Sequence, residues 1–209
     1  DGPFNFEGKW YHHRQVNIWP RPYQQPHPPV WITTGSAAST DPVAQHGHVA
    51  AIFLAGYSRV RPIFDAYRRN YLKYHGKHAP LDRLAYCGLI YVGDDESAAE
   101  AGANQLMWYM QANKVPEHWK NPPGYHPPSV SANVLRGAHV SGSGAAYSTE
   151  LKEHMRRGNV FAGTPDQVYE QIKAFWEYTG GFGHMLMMGQ AGHLSEANTL
   201  RSMKLYNEE

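Results

Sequence analysis

Four short apolar runs constrain what this chain can fold into: Val30–Thr34, Val49–Phe53, Leu84–Val92 and His184–Met188. None alternates polar with apolar residues. A strand that is apolar on both faces belongs in a parallel sheet covered on both sides. Helical segments follow at Asp41–His46, Pro62–Tyr74, after Asp94-Asp95-Glu96, and at Ser195–Asn207. A further helix opens at Thr164-Pro165-Asp166-Gln167, with the form of a capping box and proline at the first helical position, and closes at Gly180-Gly181. Strand and helix repeated four times predict an α/β fold with four parallel strands, half of an eight-stranded (β/α)8 TIM barrel. Ligands of such barrels meet the C-terminal ends of the strands. That places Gly35–Ser39, Phe53–Gly56, Val92–Asp94 and Met188–Gln190 at the functional rim.

In the second helix Ile63, Phe64, Tyr67, Tyr71 and Tyr74 form one apolar stripe, with Arg68, Arg69 and Lys73 outside it. Ala103, Leu106, Met107 and Met110 make the face of the third, and Val168, Ile172, Phe175 and Trp176 that of the fourth. Residues 1–29 hold six prolines between Pro3 and Pro29 and are expected to form an extended lead-in arm to one partial-barrel domain spanning 1–209. Residues 111–158 break the alternation with Pro116, Pro122, Pro123, Pro127, Pro128 and the run Ser141–Gly144, apart from a short helix near Thr149–Arg157. A loop of that length reads as a functional segment or as a variable surface insertion.

Bulk properties exclude several classes. With 19 basic and 18 acidic residues, the net charge of +1 gives no reason to invoke nucleic acid or an anionic membrane surface. No apolar run is long enough to span a bilayer, and no signal peptide is visible. The chain starts Asp1-Gly2-Pro3 without Met and reads as a fragment or a processed product. The single Cys87 rules out an intrachain disulfide and fits a reducing cytoplasm. The histidine pairs His46/His48 and His75/His78 lack acidic or cysteine companions at ligand spacing, so no metal site is expected. Gly-x-Gly-x-x-Gly and Gly-x-Ser-x-Gly are both missing, which disfavours a Rossmann dinucleotide fold and a nucleophile elbow.

The turn after the first strand, Thr34-Gly35-Ser36-Ala37-Ala38-Ser39-Thr40, carries the chemistry. Gly35 and Ala37 let a backbone approach a ligand, and Ser36 and Ser39 add hydroxyl donors. Such a turn suits a phosphate, and equally it is an ordinary strand-to-helix connection. Ile32 through Gly47 resembles the phosphate-binding segment of the bacterial luciferase-like flavin-dependent monooxygenases. The likeness continues in family order through Gly163-Thr164-Pro165-Asp166-Gln167 and Ser202-Met203-Lys204-Leu205-Tyr206, with a typical lead-in at Trp19-Pro20-Arg21-Pro22 and Gln25–Pro29.

The resemblance implies that this is the second half of the barrel, starting before the family's fifth strand, and that residues 111–158 form a lid-like insertion over the rim. The half that carries the family's catalytic histidine lies outside this sequence, so no catalytic residue is assigned. It implies that Gly35, Ser36, Ala37 and Ser39 bind the cofactor phosphate, and that the arginine usually added there belongs to the other half. The implied function is oxygenation of a small organic substrate by reduced FMN and O₂, with a separate flavin reductase as partner. The alternatives are a non-catalytic half-barrel or flavin-binding module, and an oxidoreductase using the deazaflavin F420. An open arc of four strands has exposed edges, which predicts a homo-oligomer. Ala50 and Ala51 leave room for a flavin ring or pack helix on sheet; Phe53 lines a pocket or the core. His184 and His193 reach the rim or pack structurally. Cys87 reads as a small buried apolar residue, and Met185, Met187 and Met188 as core filling.

Overall fold

The computed structural model describes residues 2–109 and 150–208. They form two compact units, Asp1–Val30 and Trp31–Glu209. In the first, the extended segments β1 (Phe4–Glu7) and β2 (His12–Val16) pair as an antiparallel hairpin, which the sequence reading of an extended arm did not include. Gly8 N–H closes its turn on the Tyr11 carbonyl at 2.8 Å, and Glu7 holds both His12 (2.7 Å) and Arg14 (3.0 Å). Four residues of Phe-Asn-Phe-Glu alternation beside so many prolines were too little to read as a strand.

In the second unit the chain runs β3 (Trp31–Thr33), α1 (Thr40–Gln45), β4 (Val49–Phe53), α2 (Tyr57–His75), β5 (Leu84–Val92) and α3 (Glu96–Leu106). It continues with α4 (Leu151–Arg157), β6 (Val160–Gly163), α5 (Pro165–Thr179), β7 (His184–Met188) and α6 (Glu196–Glu208). All five strands are parallel. The four expected strands neighbour one another in chain order, β3-β4-β5-β7, as successive β/α units require.

Strand β6 is an addition the sequence did not announce. Cys87 accepts from Leu54 N–H at 3.0 Å, and Leu89 N–H donates to the Asn159 carbonyl at 3.1 Å. Residues two apart present their backbone groups to the same edge. So β4 and β6 share one edge of β5 end to end, at Leu84–Cys87 and Leu89–Val92, while β7 takes the other edge. A nine-residue β5 makes this possible by outrunning its five-residue neighbours.

The main core lies between sheet and helices. Ala50, Ile52, Leu84, Tyr86 and Ile90 meet Val60, Ile63, Phe64, Tyr67 and Phe175 there. Phe175 is its centre, with ring centroids 4.5 Å from Tyr86, 4.9 Å from Tyr57 and 5.5 Å from Phe161. A second cluster joins Leu89, Tyr91, Ala103, Leu106, Met107, Leu151 and Val160. The expected apolar stripes of α2 and α3 are therefore the buried ones, with Met110 outside the described residues.

Two expectations about α2 change. It starts at Tyr57, not Pro62, and holds that proline internally. Burial of Val60 and the packing of Tyr57 on Phe175 outweigh the lost N–H in the second turn. Arg68 is not on an open face. It donates to Asp65 (2.9 Å) and to the carbonyls of Thr179 (2.9 Å), Gly180 (2.9 Å) and Gly181 (2.6 Å), where α5 ends in a left-handed Gly180. At the other end of α5, Gln167 accepts the Thr164 N–H at 3.0 Å, as the capping box predicts. Most of the lid segment, 110–149, lies outside the described residues. Its last part is the packed helix α4, with Leu151 and His154 buried.

Candidate functional site

The turn after β3 is held by its own hydroxyls. Ser36 Oγ donates to Ser39 Oγ (3.3 Å), and Ser39 Oγ donates to the Ser36 carbonyl (2.8 Å). Each serine N–H also bonds the other's hydroxyl, at 3.2 Å. Thr40 Oγ1 donates to Ala37 O at 2.7 Å and accepts from Asn70 Nδ2 at 3.0 Å, which anchors the turn to α2. The four residues Gly35, Ser36, Ala37 and Ser39 thus lie in one hydrogen-bonded turn that follows the C-terminal end of β3.

The donor set differs from the one the sequence suggested. Helix α1 has only six residues, and Ser39 at its N-cap makes no side-chain cap. The first helical N–H groups are already used, Thr40 on Ala37 O (3.3 Å) and Asp41 on Ala38 O (3.4 Å). The N–H groups of Gly35, Ala37 and Ala38 carry no acceptor among the described residues. A Cβ at Gly35 would meet nothing within 4 Å, so packing of the chain itself does not demand glycine there. Space for a ligand remains at that point.

A cation missed in the sequence stands beside the turn. Arg59, in the first turn of α2, donates from Nη2 to the Gly35 carbonyl at 3.0 Å. Their separation of 24 positions in the chain hid the contact. Read as a helix starting at Pro62, the sequence left Arg59 in a loop with no direction. The residues fit a phosphate: two hydroxyls, three available N–H groups and a guanidinium with donors to spare.

Register decides which other positions share this level. Thr33 pairs Ala51, Ala51 pairs Ala85, and Phe53 pairs Cys87, which pairs Leu186. Phe53–Gly56 and Met188–Gln190 therefore follow directly on the strand ends. Val92–Asp94 does not: it lies three residues past the Leu89–Met188 pair, beside β6. Asp94 is tied there to Arg201, whose hydrogen bond holds its carboxyl below the usual carboxylate range.

The inner face of the arc carries Thr33, Ala51, Phe53, Cys87 and Leu186. Phe53 and Leu186 are exposed on it, and Phe53 meets Tyr109 edge-on at 6.2 Å. Ala50 and Ala51 separate: Ala50 is buried against the helices, whereas Ala51 is half-buried on the inner side. Burial pushes the Cys87 thiol up. Met185 and Met187 pack on the main core and Met188 on the second.

His184 is not at the rim. It starts β7, packs tilted against Trp31 with centroids 4.8 Å apart, and its Nε2 lies 3.1 Å from the Asp82 carbonyl. His193 packs edge-on against Trp108 at 5.5 Å. His46 stacks on His48 at 5.5 Å, and His75 Nε2 lies 2.8 Å from the Ala44 carbonyl. Among the described residues no group of three His, Cys, Asp or Glu is placed to hold a metal ion. No described helix is long and apolar enough to cross a membrane.

A family model described as luciferase-like monooxygenase matches residues 1–181. No curated protein matches the chain. Among solved structures the chain is similar to a monooxygenase from Streptomyces bottropensis, at 18% identity and a TM-score of 0.68 over 99% of this chain and 54% of that one. It is similar to the oxygenating constituent of 3,6-diketocamphane monooxygenase from Pseudomonas putida, in complex with FMN, at 16% identity and a TM-score of 0.66 over 99% and 57%. It also resembles the coenzyme F420 dependent tetrahydromethanopterin reductase from Methanopyrus kandleri, at 14% identity and a TM-score of 0.58 over 90% and 52%. At these identities the likeness establishes the partial-barrel fold. The chain spans just over half the length of these structures.

Proposed function

The chain belongs to the luciferase-like monooxygenase family, and from that premise we propose that it is the flavin-phosphate half of an FMN-dependent monooxygenase. The observation that carries this reading is the turn itself. After the C-terminal end of β3, one turn brings together the Ser36 and Ser39 hydroxyls and the Gly35, Ala37 and Ala38 N–H groups, with the Arg59 guanidinium bonded to its Gly35 carbonyl.

Ser36 Oγ–H turns from Ser39 to the phosphate, and Ser39 keeps its grip on the Ser36 carbonyl. Arg59 supplies positive charge from within this half and remains fixed by the Gly35 carbonyl. Each hydrogen bond to the charged group contributes roughly 1.5–3 kcal/mol. Ala51, Phe53 and Leu186 offer an apolar wall that excludes water from the ring. Bound flavin in its reduced form supplies the reaction with O₂, and the product is an oxygenated small organic molecule. Reduced FMN comes from a separate reductase, in the reducing cytoplasm that a lone thiol suits.

The test is FMN binding by fluorescence quenching, wild type beside Ser36→Ala/Ser39→Ala. A loss of about tenfold or more is expected, since the Ser36 hydrogen bond to the phosphate disappears together with the Ser39 hydroxyl that holds the turn in place. Equal affinity in the two proteins would sink the assignment of the turn. A second reading, hydride transfer with F420, has support from the F420-dependent neighbour. The same titration with F420 separates them, because only the tighter ligand is the cofactor. A third, a half-barrel without catalysis, is the reading left if neither binds.

A further inference from the structure

We propose a second anion site, for the phosphate group of a ligand other than the flavin, in the cleft where β4 leaves and β6 joins the same edge of β5. The cleft has a volume of about 360 Å³ and is lined by Gly56, Ser58, Arg59, Arg156, Arg157 and Asn159. It exists because two chain segments share one strand edge: Ala55–Arg59 turns away as Arg156–Asn159 comes in. Tyr86 pins both below it, accepting from Gly56 N–H at 3.4 Å and donating to the Gly158 carbonyl at 2.8 Å.

Helix α2 points its N-terminus into this gap. It is 19 residues long, its cap is a glycine, and no side chain caps it. Arg59 and Val60 N–H both go to the Gly56 carbonyl, at 3.3 and 3.0 Å. The preceding N–H groups of Tyr57 and Ser58 have no acceptor among the described residues. Such an end attracts an anion. Glycine is required at the cap, because φ is 68° and a Cβ would sit 2.6 Å from the Arg157 carbonyl.

Two further observations are independent of the helix end. Asn159 is 2% exposed, and its Oδ1 has no hydrogen-bond partner among the described residues. Its backbone is fully used, donating to His154 O at 3.0 Å and accepting from Leu89 at 3.1 Å, so the unmet bond of Asn159 belongs to its side-chain amide. Rotation about χ2 offers a ligand either end of that amide. Charge is also unbalanced: Arg156 and Arg157 share the single carboxylate of Glu153, and Arg59 bonds only a neutral carbonyl. Even with Arg59 given to the flavin phosphate, two guanidiniums against one carboxylate leave an excess of positive charge, and guanidinium geometry matches phosphate.

The site is tested with the 209-residue chain, titrated by calorimetry with inorganic phosphate and with glycerol phosphate at constant ionic strength. Wild type is compared with Arg156→Gln/Arg157→Gln, with Ser58→Asp and with Ser36→Ala/Ser39→Ala, each checked for folding by circular dichroism. Both arginines are exposed, and an aspartate in the first turn favours the helix, so these variants should fold. Binding that weakens about tenfold or more in the arginine and aspartate variants, and holds in the serine variant, is the expected result. The tighter of the two probes tells a free ion from a phosphate monoester. Absence of binding, or binding indifferent to Arg156, Arg157 and Ser58, overturns the proposal. So does a matching loss of FMN affinity in the arginine variant, since the cleft would then serve the flavin. Failure of the serine variant to alter FMN binding bears on the turn after β3 alone.

Discussion

Arg59 shows how much one contact alters the reading of a site. As a residue of sequence it is one of 19 basic side chains; in the fold it is the charge beside Gly35. Gly35 is informative for the opposite reason, since nothing in the chain fills the space a Cβ would take. Gly35→Ala should therefore change stability by less than about 0.5 kcal/mol, as surface substitutions do. FMN affinity should fall if the phosphate needs that close backbone approach. Parallel thermal melts and flavin titrations check both, and unchanged affinity would remove Gly35 from the site. Cys87 gives a pH prediction. Burial raises its thiol pKa, so the neutral form persists to higher pH in the folded chain than in the unfolded one. Iodoacetamide should alkylate native Cys87 slowly at pH 8.5 and faster in urea, where the ordinary thiol pKa returns. A native rate equal to the unfolded rate would contradict the burial.

Among the elements, β5 organises the rest. Its first half is the third strand of the arc, and its second half extends beyond it to hold β6. Val92 lies past the end of β7 on that edge, and its N–H finds no strand there. Ser202 Oγ of α6, fully buried, accepts it at 2.8 Å instead. Ser202→Ala should cost about 1–3 kcal/mol by leaving a buried N–H unmet. Urea denaturation reads this directly, and a midpoint unchanged from wild type would mean that water replaces the hydroxyl. Ser202 opens one of the segments that resemble the family, yet nothing in the sequence says that its role is to end a strand. Element boundaries were legible where local chemistry sets them. Strand β5 and the two ends of α5 appear where the apolar run, capping box and glycine pair place them. The start of α2 and the four-residue β6 were not, because packing on Tyr86 and Phe175 and pairing with β5 decide them.

At the scale of the whole molecule, the arc of strands is open. Among the described residues no strand pairs with the outer edge of β3 or β7, and Trp31, Phe53 and Leu186 are exposed on the inner face. Unpaired edges and an uncovered apolar face favour association. Size-exclusion chromatography with light scattering on the isolated chain should show a dimer or larger species at tens of micromolar, by about the same mass action that governs other weak interfaces. A sharp monomer peak would mean that the arc is stable uncovered. The sequence alone determined the four β/α units, their order, the apolar faces of the helices and the serine-bearing turn. Those features follow from periodicity, capping and turn chemistry, which act within a few residues. Only the tertiary structure decided that Arg59 stands at that turn, that Arg68 caps α5, that β6 borrows the edge β4 leaves, and that His184 lies away from the rim. Each of these joins residues far apart in the chain, and their positions depend on strand register and side-chain burial, which no local pattern encodes.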